Sequence, residues 1–136
     1  MADTLKLDIV TPDAIVYSEH VQMVTLPALE GQIGVLPHHV PLLTQVIPGE
    51  MIVRKDGHET FIAVGEGVVL VTGAHVSILT DMAVAAESID EAKAEEARQR
   101  AAARLRDKIS DEEVASVNAA LARSLAQLKV KRHRRV

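Results

Sequence analysis

The chain has 136 residues, enough for one domain of ordinary size or for a small domain with an appendage. Hydrophobic residues make up 48% of it but only Tyr17 and Phe61 are aromatic, so any core must be built from aliphatic side chains. The absence of cysteine excludes disulfides and thiolate metal sites. No apolar run approaches the roughly 18 residues of a membrane-spanning helix, and residues 1–10 do not have the pattern of a signal peptide. These features predict a soluble protein of the cytoplasm.

The net charge of −4 is unevenly distributed along the chain. Residues 1–86 contain three basic and ten acidic groups, a net charge of −7. Residues 87–136 contain twelve basic and nine acidic groups, a net charge of +3. The two parts therefore attract each other weakly, and they can bind partners of opposite sign.

The first part of the chain has the pattern of short strands. All seven glycines and all five prolines lie at or before Gly73, which predicts a turn-rich sheet followed by uninterrupted helix. Residues 4–10 alternate apolar and polar side chains, and residues 21–26 are rich in strand-forming types. Asp56-Gly57 and Gly73 each separate two strand-like runs, as hairpin turns do. We therefore predict a β-sandwich, or flattened barrel, in residues 1–86.

Residues 31–43, with the sequence GQIGVLPHHVPLL, differ from this pattern. Two glycines, two prolines and two adjacent histidines interrupt the apolar residues. The segment is too broken for a helix and too apolar for an ordinary exposed loop. We predict an irregular, apolar segment here.

The second part predicts two helices, each with a start signal. Ser88 is followed three residues later by Glu91, and Ser110 by Glu113, the spacing of a capping box. Apolar residues then recur every three or four positions, at Ala97, Ala101, Leu105 and Ile109 in the first helix and at Val114, Val117, Leu121, Leu125 and Leu128 in the second. The short join between them predicts an antiparallel helical hairpin within residues 87–136.

The hairpin is predicted to be held by only a modest free energy. Its first apolar stripe is mostly Ala, which buries little area at about 25 cal/mol per Å². The join contains no Gly or Pro, so nothing in its chemistry forbids a continuous helix. Two interpretations stay open: a static hairpin that completes the fold, and an arm that can detach or straighten.

Local motifs do not indicate an enzyme. The chain has no P-loop, dinucleotide fingerprint or GxSxG motif, and the glycine pair in residues 65–68 is typical of a β-bulge. The histidines lack the spacing of metal ligands, and we expect no metal site even at the adjacent pair His38 and His39. We therefore expect neither catalytic residues nor a metal.

Five basic residues lie within seven positions at the end of the chain: Lys129, Lys131, Arg132, Arg134 and Arg135. A frayed, solvated helix end is the simplest explanation. Binding to nucleic acid is disfavoured by the scarcity of aromatic residues and by the acidic remainder of the chain. A third possibility is a cationic helix end that docks on an acidic protein surface.

The segment GQIGVLPHHVPLL closely resembles the signature G-[EQ]-[LI]-G-[IV]-x-P-x-H-x-P-L-[LV] of the epsilon subunits of bacterial F-type ATP synthases. The resemblance continues through VTPDAIVYSEHVQMVTLPALEG before it and through PGEMIVR, GHETFIAVGEGVVLV and HVSILTDMA after it. The order of a β-sandwich and a helical hairpin that opens with an IDxxxA segment is also similar to that family.

The resemblance implies a non-catalytic rotor subunit in the central stalk of a proton-translocating ATP synthase, peripheral to the cytoplasmic face of a bacterial plasma membrane. The sandwich would bind the gamma subunit and rest on the ring of c subunits, and these partners would cover the apolar segment. The contact region would comprise Gly31, Gln32, Gly34, Pro37, His38 and His39. Many relatives have Glu at the position of Gln32, so we expect no ion pair to the ring there. His38 stands where relatives often have a small residue.

The resemblance also implies a regulatory function for the hairpin. In its extended form the hairpin would rise along gamma into the catalytic head and inhibit ATP hydrolysis. The basic tail, comprising Lys129, Lys131, Arg132, Arg134 and Arg135, would then contact an acidic surface of a catalytic β subunit.

Some relatives bind ATP at the folded hairpin, which would place a nucleotide site at Ile89, Asp90, Lys93, Ala94, Arg100 and Arg123. Lys93 replaces an arginine of that motif and cannot offer the same bidentate geometry to phosphate. Val84 and Gln127 replace an acidic residue and another arginine. We therefore expect no obligatory cofactor and only weak binding of ATP. The alternative function is a free-standing ATP-sensing module of the same fold.

Overall fold

The computed structural model describes residues 3–134, with the side chain of Arg134 left out. Ten strands, a 3₁₀ helix and two α-helices follow one another in this part of the chain. The strands are β1 (Leu5–Val10), β2 (Ile15–Val21), β3 (Met23–Ala28), β4 (Gly31–Val35), β5 (His39–Val46), β6 (Gly49–Lys55), β7 (His58–Val64), β8 (Gly67–Gly73), β9 (His75–Thr80) and β10 (Ala83–Ala85). The helices are the 3₁₀ helix Ala86–Ser88, α1 (Glu91–Arg104) and α2 (Asp111–Arg134).

The strands form one sheet that is nearly closed into a flattened barrel, which confirms the predicted fold class. Their order is β10-β7-β6-β3-β5-β8-β9-β1-β2, and β4 pairs with β3 outside this path. All pairs are antiparallel except that of β1 with β9. In β1 the buried side chains of Leu5, Leu7 and Ile9 alternate with less buried neighbours, as the period of two predicted.

The two predicted hairpin turns are confirmed. Between β6 and β7, Asp56 has a φ of 51° and Gly57 a φ of 80°, the pattern of a type I′ turn. The last residue of β8, Gly73, has a φ of 58° where the chain turns into β9. Both turns use left-handed backbone that Gly adopts at low cost, and for this reason they could be read from the sequence.

Residues 31–43 are not irregular, and that prediction is wrong. They form β4 and the first part of β5, joined by a turn in which the His39 amide donates to the Leu36 carbonyl at 3.2 Å. Pro37 and His38 are the central residues of this turn, and His38 has a φ of 68°, as the third residue of a type II turn requires. The pairing register of β5 with β8 shifts between His39 and Leu42, around a proline that cannot donate a ladder hydrogen bond.

The two helix starts differ in how well they were predicted. Ser88 ends the 3₁₀ helix and does not cap α1; the Asp90 carboxylate accepts from the Lys93 amide at 3.1 Å instead. At the start of α2 the serine half of the predicted capping box is present, since the Ser110 hydroxyl accepts from the Glu113 amide at 3.2 Å. The Glu113 carboxylate pairs with Arg104 (2.6 Å), and so ties the start of α2 to the end of α1.

The helices form the predicted antiparallel hairpin, and α2 packs on β6 and β7. Ala94 and Ala101 are the buried residues of α1, and Leu128 is buried in α2. Leu125 is 48% exposed, so its place in the predicted apolar stripe is wrong. Within the described residues, neither helix combines the length and the apolarity needed to cross a bilayer.

Candidate interaction surfaces

One face of the sheet presents an apolar strip that no other part of the described chain covers. Leu43 of β5, Val68 and Leu70 of β8 and Leu79 of β9 are between 42% and 68% exposed. The register pairs Leu43 with Leu70 and Val68 with Leu79, so these side chains are neighbours on one face. A contiguous exposed patch of this kind marks an interaction site.

This apolar strip was not predicted from the sequence. The signal that could have found it is the run VVLV in β8, which is apolar on both faces of the strand. A continuous apolar run is typical of a strand covered on both sides, whereas strands with one solvated face alternate. One side of β8 packs in the core through Val69 and Val71, and the other side is exposed through Val68 and Leu70.

The six predicted contact residues, which lie in β4, in the turn after it and at the start of β5, do not form one cluster. Gly31 and Gln32 lie at one end of β4, in a shallow cleft of about 240 Å³ that Lys129 of α2 also lines. Pro37, His38 and His39 lie beyond its other end. His38 Nε2 is 3.3 Å from Asp3 Oδ2, and His39 Nδ1 donates to the carbonyl of the next residue at 2.7 Å.

Gly34 lies between these two ends of β4. A Cβ atom at this position would come within 2.9 Å of the terminal methyl group of Met23 on β3. Because that methyl group ends a flexible side chain, it can move aside, and packing inside the sandwich does not require glycine here.

The helices contact the sandwich through small side chains. The buried residues of this interface are Ala63, Ala86, Ile89, Ala126 and Val130, and Phe61, Met82 and Val84 pack at its border. Three of the five buried residues are Ala, so the helix approaches closely but removes little apolar area from water.

The six residues predicted to bind nucleotide have different environments. Ile89 and Ala94 are buried, and the Asp90 carboxylate caps α1. Lys93 and Arg100 are exposed on α1. Only Arg123, among the six, lines the cleft of about 340 Å³ between the helices and Asp81 and Met82.

Inside this cleft, the side chains that could bind a phosphate already contact other residues of the protein. Arg123 lies 3.3 Å from the Asp81 carboxylate, which neutralises its charge. The Gln127 amide donates to the Met82 sulfur at 3.1 Å. The geometry is thus compatible with the expected weak binding of ATP, which stays a prediction.

The described part of the basic tail packs back on the protein. Lys131 donates to the Ala86 carbonyl at 3.2 Å, and His133 Nδ1 lies 2.7 Å from Glu50 Oε2. Arg132 binds carboxylates of α1, whereas Lys129 is exposed. The Arg134 side chain and Arg135 lie outside the described residues. A frayed, solvated end does not describe Lys131, whereas Arg132 is paired with α1 but remains 55% exposed to water.

A cluster of Asp8, Ser18, His75 and Ser77 on the sheet surface superficially resembles a catalytic triad. Hydrogen bonds from Ser18 (2.5 Å) and His75 (2.7 Å) hold the pKa of Asp8 below its usual value. His75 uses the same atom, Nε2, towards both Asp8 and Ser77. A triad needs one ring nitrogen for each partner, so this arrangement cannot activate the serine. In the described part of the chain, no three His, Asp or Glu side chains converge to hold a metal ion.

Two family models match the chain in succession. The β-sandwich domain of the ATP synthase delta/epsilon chain matches residues 4–86, and the long α-helix domain of the same chain matches residues 87–132. The chain belongs to this family.

Individual members of the family are similar over almost the whole length. The ATP synthase epsilon chain of Herpetosiphon aurantiacus is 42% identical over 131 residues, which cover 96% of each chain. That of Halorhodospira halophila is 41% identical over 128 residues, which cover 93% of this chain and 91% of the relative.

Solved structures agree with this assignment. A chain in the mitochondrial ATP synthase of Euglena gracilis, solved with OSCP, F1 and c-ring, is 26% identical, with a TM-score of 0.74 over 88% of this chain and 76% of that one. A chain in the central stalk and c-ring of the Tetrahymena thermophila enzyme has a TM-score of 0.55 at 12% identity, with 97% and 96% covered, which shows likeness of fold alone.

Membership in the family settles the general function. The chain is an epsilon-type subunit of F-type ATP synthase, a membrane-associated complex, and it is a non-catalytic component of the central stalk. The resemblance drawn from residues 31–43 is thereby confirmed, although their predicted irregular conformation is not.

Proposed function

We propose that the sandwich of this subunit binds gamma and the c-ring, and that its helical hairpin inhibits ATP hydrolysis when it extends into the catalytic head. The complex would lie at the cytoplasmic face of a bacterial plasma membrane. The observation that carries the proposal is the contrast between an uncovered apolar strip on the sandwich and a hairpin held by small side chains.

The apolar strip is the proposed contact with gamma. Leu43 and Leu70 are paired neighbours, and their exposure to water is unfavourable unless a partner covers them. Gly31 and Gln32, with the exposed Leu29 beside them at the tip of the β3–β4 hairpin, form the proposed contact with the c-ring. The neutral side chain of Gln32 offers hydrogen bonds there but no ion pair.

The hairpin is the proposed inhibitory arm. In the closed form its interface with the sandwich contains five buried residues, and three of them are Ala. Opening this interface therefore exposes little apolar surface, and contacts of the extended arm with gamma and β can compensate for it. In that form the basic tail would meet an acidic surface of β.

Steady-state ATP hydrolysis by the reconstituted complex tests this function. A subunit that ends at residue 86 should fold and assemble, because the sandwich core contains no residue of the hairpin, and hydrolysis should rise several-fold. Circular dichroism and co-purification with gamma check folding and assembly. Equal rates with and without residues 87–136 would contradict the inhibitory role.

A charge variant tests the tail alone. Changing Arg132, Arg134 and Arg135 to Ala should raise hydrolysis while the complex stays intact, because the extended arm loses its cations. A matched control changes Arg100, Arg106 and Lys108 to Ala, which removes the same charge from exposed positions outside the tail. Raised salt should reproduce part of the tail effect, since exposed charges are screened beyond about 8–10 Å.

The alternative function, a free-standing ATP sensor, makes a different prediction. It requires low-micromolar binding of ATP by the isolated chain, measured by calorimetry. Our proposal expects weaker binding, because Arg123 is paired with Asp81 and Lys93 can supply only a point charge. Changing Lys93 to Arg should tighten binding if the rest of the site is intact.

A further inference from the structure

We propose that Glu50 and His133 form a latch that holds the hairpin closed on the sandwich and keeps the tail away from other partners. The structural part of this inference concerns the isolated chain. Its consequence for ATP hydrolysis rests on the inhibitory function proposed above.

The contact between Glu50 and His133 combines a buried carboxylate, a short hydrogen bond and an aromatic ring contact. Glu50 lies in β6, and its side chain is only 7% exposed beneath the end of α2. His133 Nδ1 lies 2.7 Å from its Oε2, and the imidazole ring packs at a tilt against Phe61 of β7, with 4.7 Å between ring centroids. A covered carboxylate is unfavourable without a hydrogen-bond donor, and α2 delivers that donor from 83 positions along the chain.

Two neighbouring residues attach the same turn of α2 to two other elements. Lys131 donates to the carbonyl of Ala86 in the 3₁₀ helix at 3.2 Å. Arg132 lies 3.2 Å from a Glu91 oxygen and 3.5 Å from a Glu95 oxygen, both in α1. The end of α2 is thus tied to β6, to the 3₁₀ helix and to α1 within three consecutive residues.

The free energy that keeps the hairpin closed depends largely on these polar contacts. Because the apolar interface consists largely of Ala side chains, it contributes little, and leaving the buried Glu50 side chain without its hydrogen-bond donor is costly. When α2 lifts away, Glu50 regains water and the tail cations become free. Closure and extension therefore compete for the same basic residues.

Variants of the basic tail and variants of Glu50 should therefore have opposite effects on inhibition. Changing Arg132 removes a cation from both forms of the arm. Changing Glu50 weakens only the closed form, since this residue belongs to the sandwich. The latch therefore predicts that Glu50→Gln strengthens inhibition, whereas removal of the tail arginines relieves it.

Hydrogen exchange on the isolated full-length chain tests the latch directly. Glu50→Gln should speed exchange of the amides of residues 124–130 about tenfold, while the amides of β1 exchange as in the unaltered chain. The matched control is Glu59→Gln, the same chemical change at an exposed glutamate of β7 that pairs with Arg54. Equal exchange of residues 124–130 in the two variants would overturn the latch.

A second pair of variants guards against a folding defect. If Glu50→Gln also speeds exchange in β1, His133→Phe takes its place as the test, because it keeps a ring beside Phe61 but lacks the Nδ1 donor, and it should speed exchange only in α2. The double variant should exchange no faster than His133→Phe alone, because the contact that Glu50→Gln weakens is then already absent. Additive effects would show that the two residues act separately, and would overturn the pair as a unit.

Hydrolysis by the reconstituted complex tests the consequence. Glu50→Gln should lower the rate at least twofold relative to Glu59→Gln. If the rate is unchanged although removal of residues 87–136 raises it, the latch does not control inhibition and this half of the inference fails. If removal of residues 87–136 has no effect, the proposed inhibition fails, and the exchange experiment still decides the latch by itself.

Discussion

The sandwich core and the interface between helices and sandwich differ in the number and size of the side chains that they bury. The core comprises seventeen buried residues, among them the fully buried Leu5, Leu26 and Met51. The interface comprises five, of which three are Ala. Since hydrophobic stabilisation is roughly proportional to the apolar area removed from water, the core is much the more stable of the two.

The two regions also differ in where their charges lie. In the sandwich, an ion pair such as Lys55–Glu19 bridges exposed positions, where it contributes little. Around the hairpin, Arg123 and Arg132 form similarly exposed pairs with acidic groups, but Glu50, the partner of His133, is only 7% exposed. Water exclusion thus maintains the sandwich, whereas the small apolar interface of the hairpin leaves a larger share to the proposed contact between Glu50 and His133.

The largest effect should come from a cavity in the core. Leu26→Ala removes a fully buried side chain of β3 and should lower the free energy of unfolding by about 2–5 kcal/mol. Urea denaturation followed by circular dichroism measures this loss. A change below about 1 kcal/mol would mean that the sandwich relaxes around the cavity, and that the core is less rigid than its burial indicates.

A cavity at the interface should have a smaller and more local effect. Val130→Ala should cost about 1–2 kcal/mol in the opening of the hairpin, because Val130 is buried among Ala residues. Hydrogen exchange should report this cost in α2 but not in β1. Leu125→Ala serves as the control, since Leu125 is largely exposed and its truncation should leave exchange unchanged. Equal acceleration in both helix and sheet would contradict the division into two regions.

The turn after β4 should respond to a change of backbone preference. His38 has a φ of 68°, where a side chain costs about 1–2 kcal/mol relative to Gly. Gly in turn loses more conformational freedom on folding. We expect His38→Gly to stabilise the sandwich by about 0.5 kcal/mol and His38→Val to destabilise it. Thermal denaturation of both variants measures the sign, and a lower midpoint for His38→Gly than for His38→Val would refute the argument.

The smallest effect concerns acid stability. Hydrogen bonds from Ser18 and His75 lower the pKa of Asp8 in the folded chain. Its stabilising contribution is therefore complete above the ordinary carboxyl pKa of about 3.9 and is lost as pH falls through the lower folded value. Asp8→Asn should flatten the fall in stability below about pH 4, as urea midpoints at several pH values would show. If the stability of Asp8→Asn falls at low pH as steeply as that of the unaltered chain, Asp8 contributes nothing to acid stability.

The sequence by itself determined the features that depend on neighbours in the chain. Strand alternation in β1, the Asp56-Gly57 turn, the Ser110 cap and the order of sheet before hairpin were all predicted from spacing and are present. Each depends on backbone preferences or on contacts across a few residues, which short sequence patterns encode. The family resemblance likewise rests on short sequence motifs, of which residues 31–43 are the most specific.

Tertiary structure decided the rest. Residues 31–43 became strands because β3 and β8 supplied hydrogen bonds that their own pattern did not predict. Asp90 replaced Ser88 as the cap because the chain first forms a 3₁₀ turn against α2. The apolar strip and the Glu50–His133 contact join residues far apart in sequence, whose meeting depends on strand register and on the placement of α2. No local pattern contains such distances, because they are set by the packing of the whole sheet and both helices.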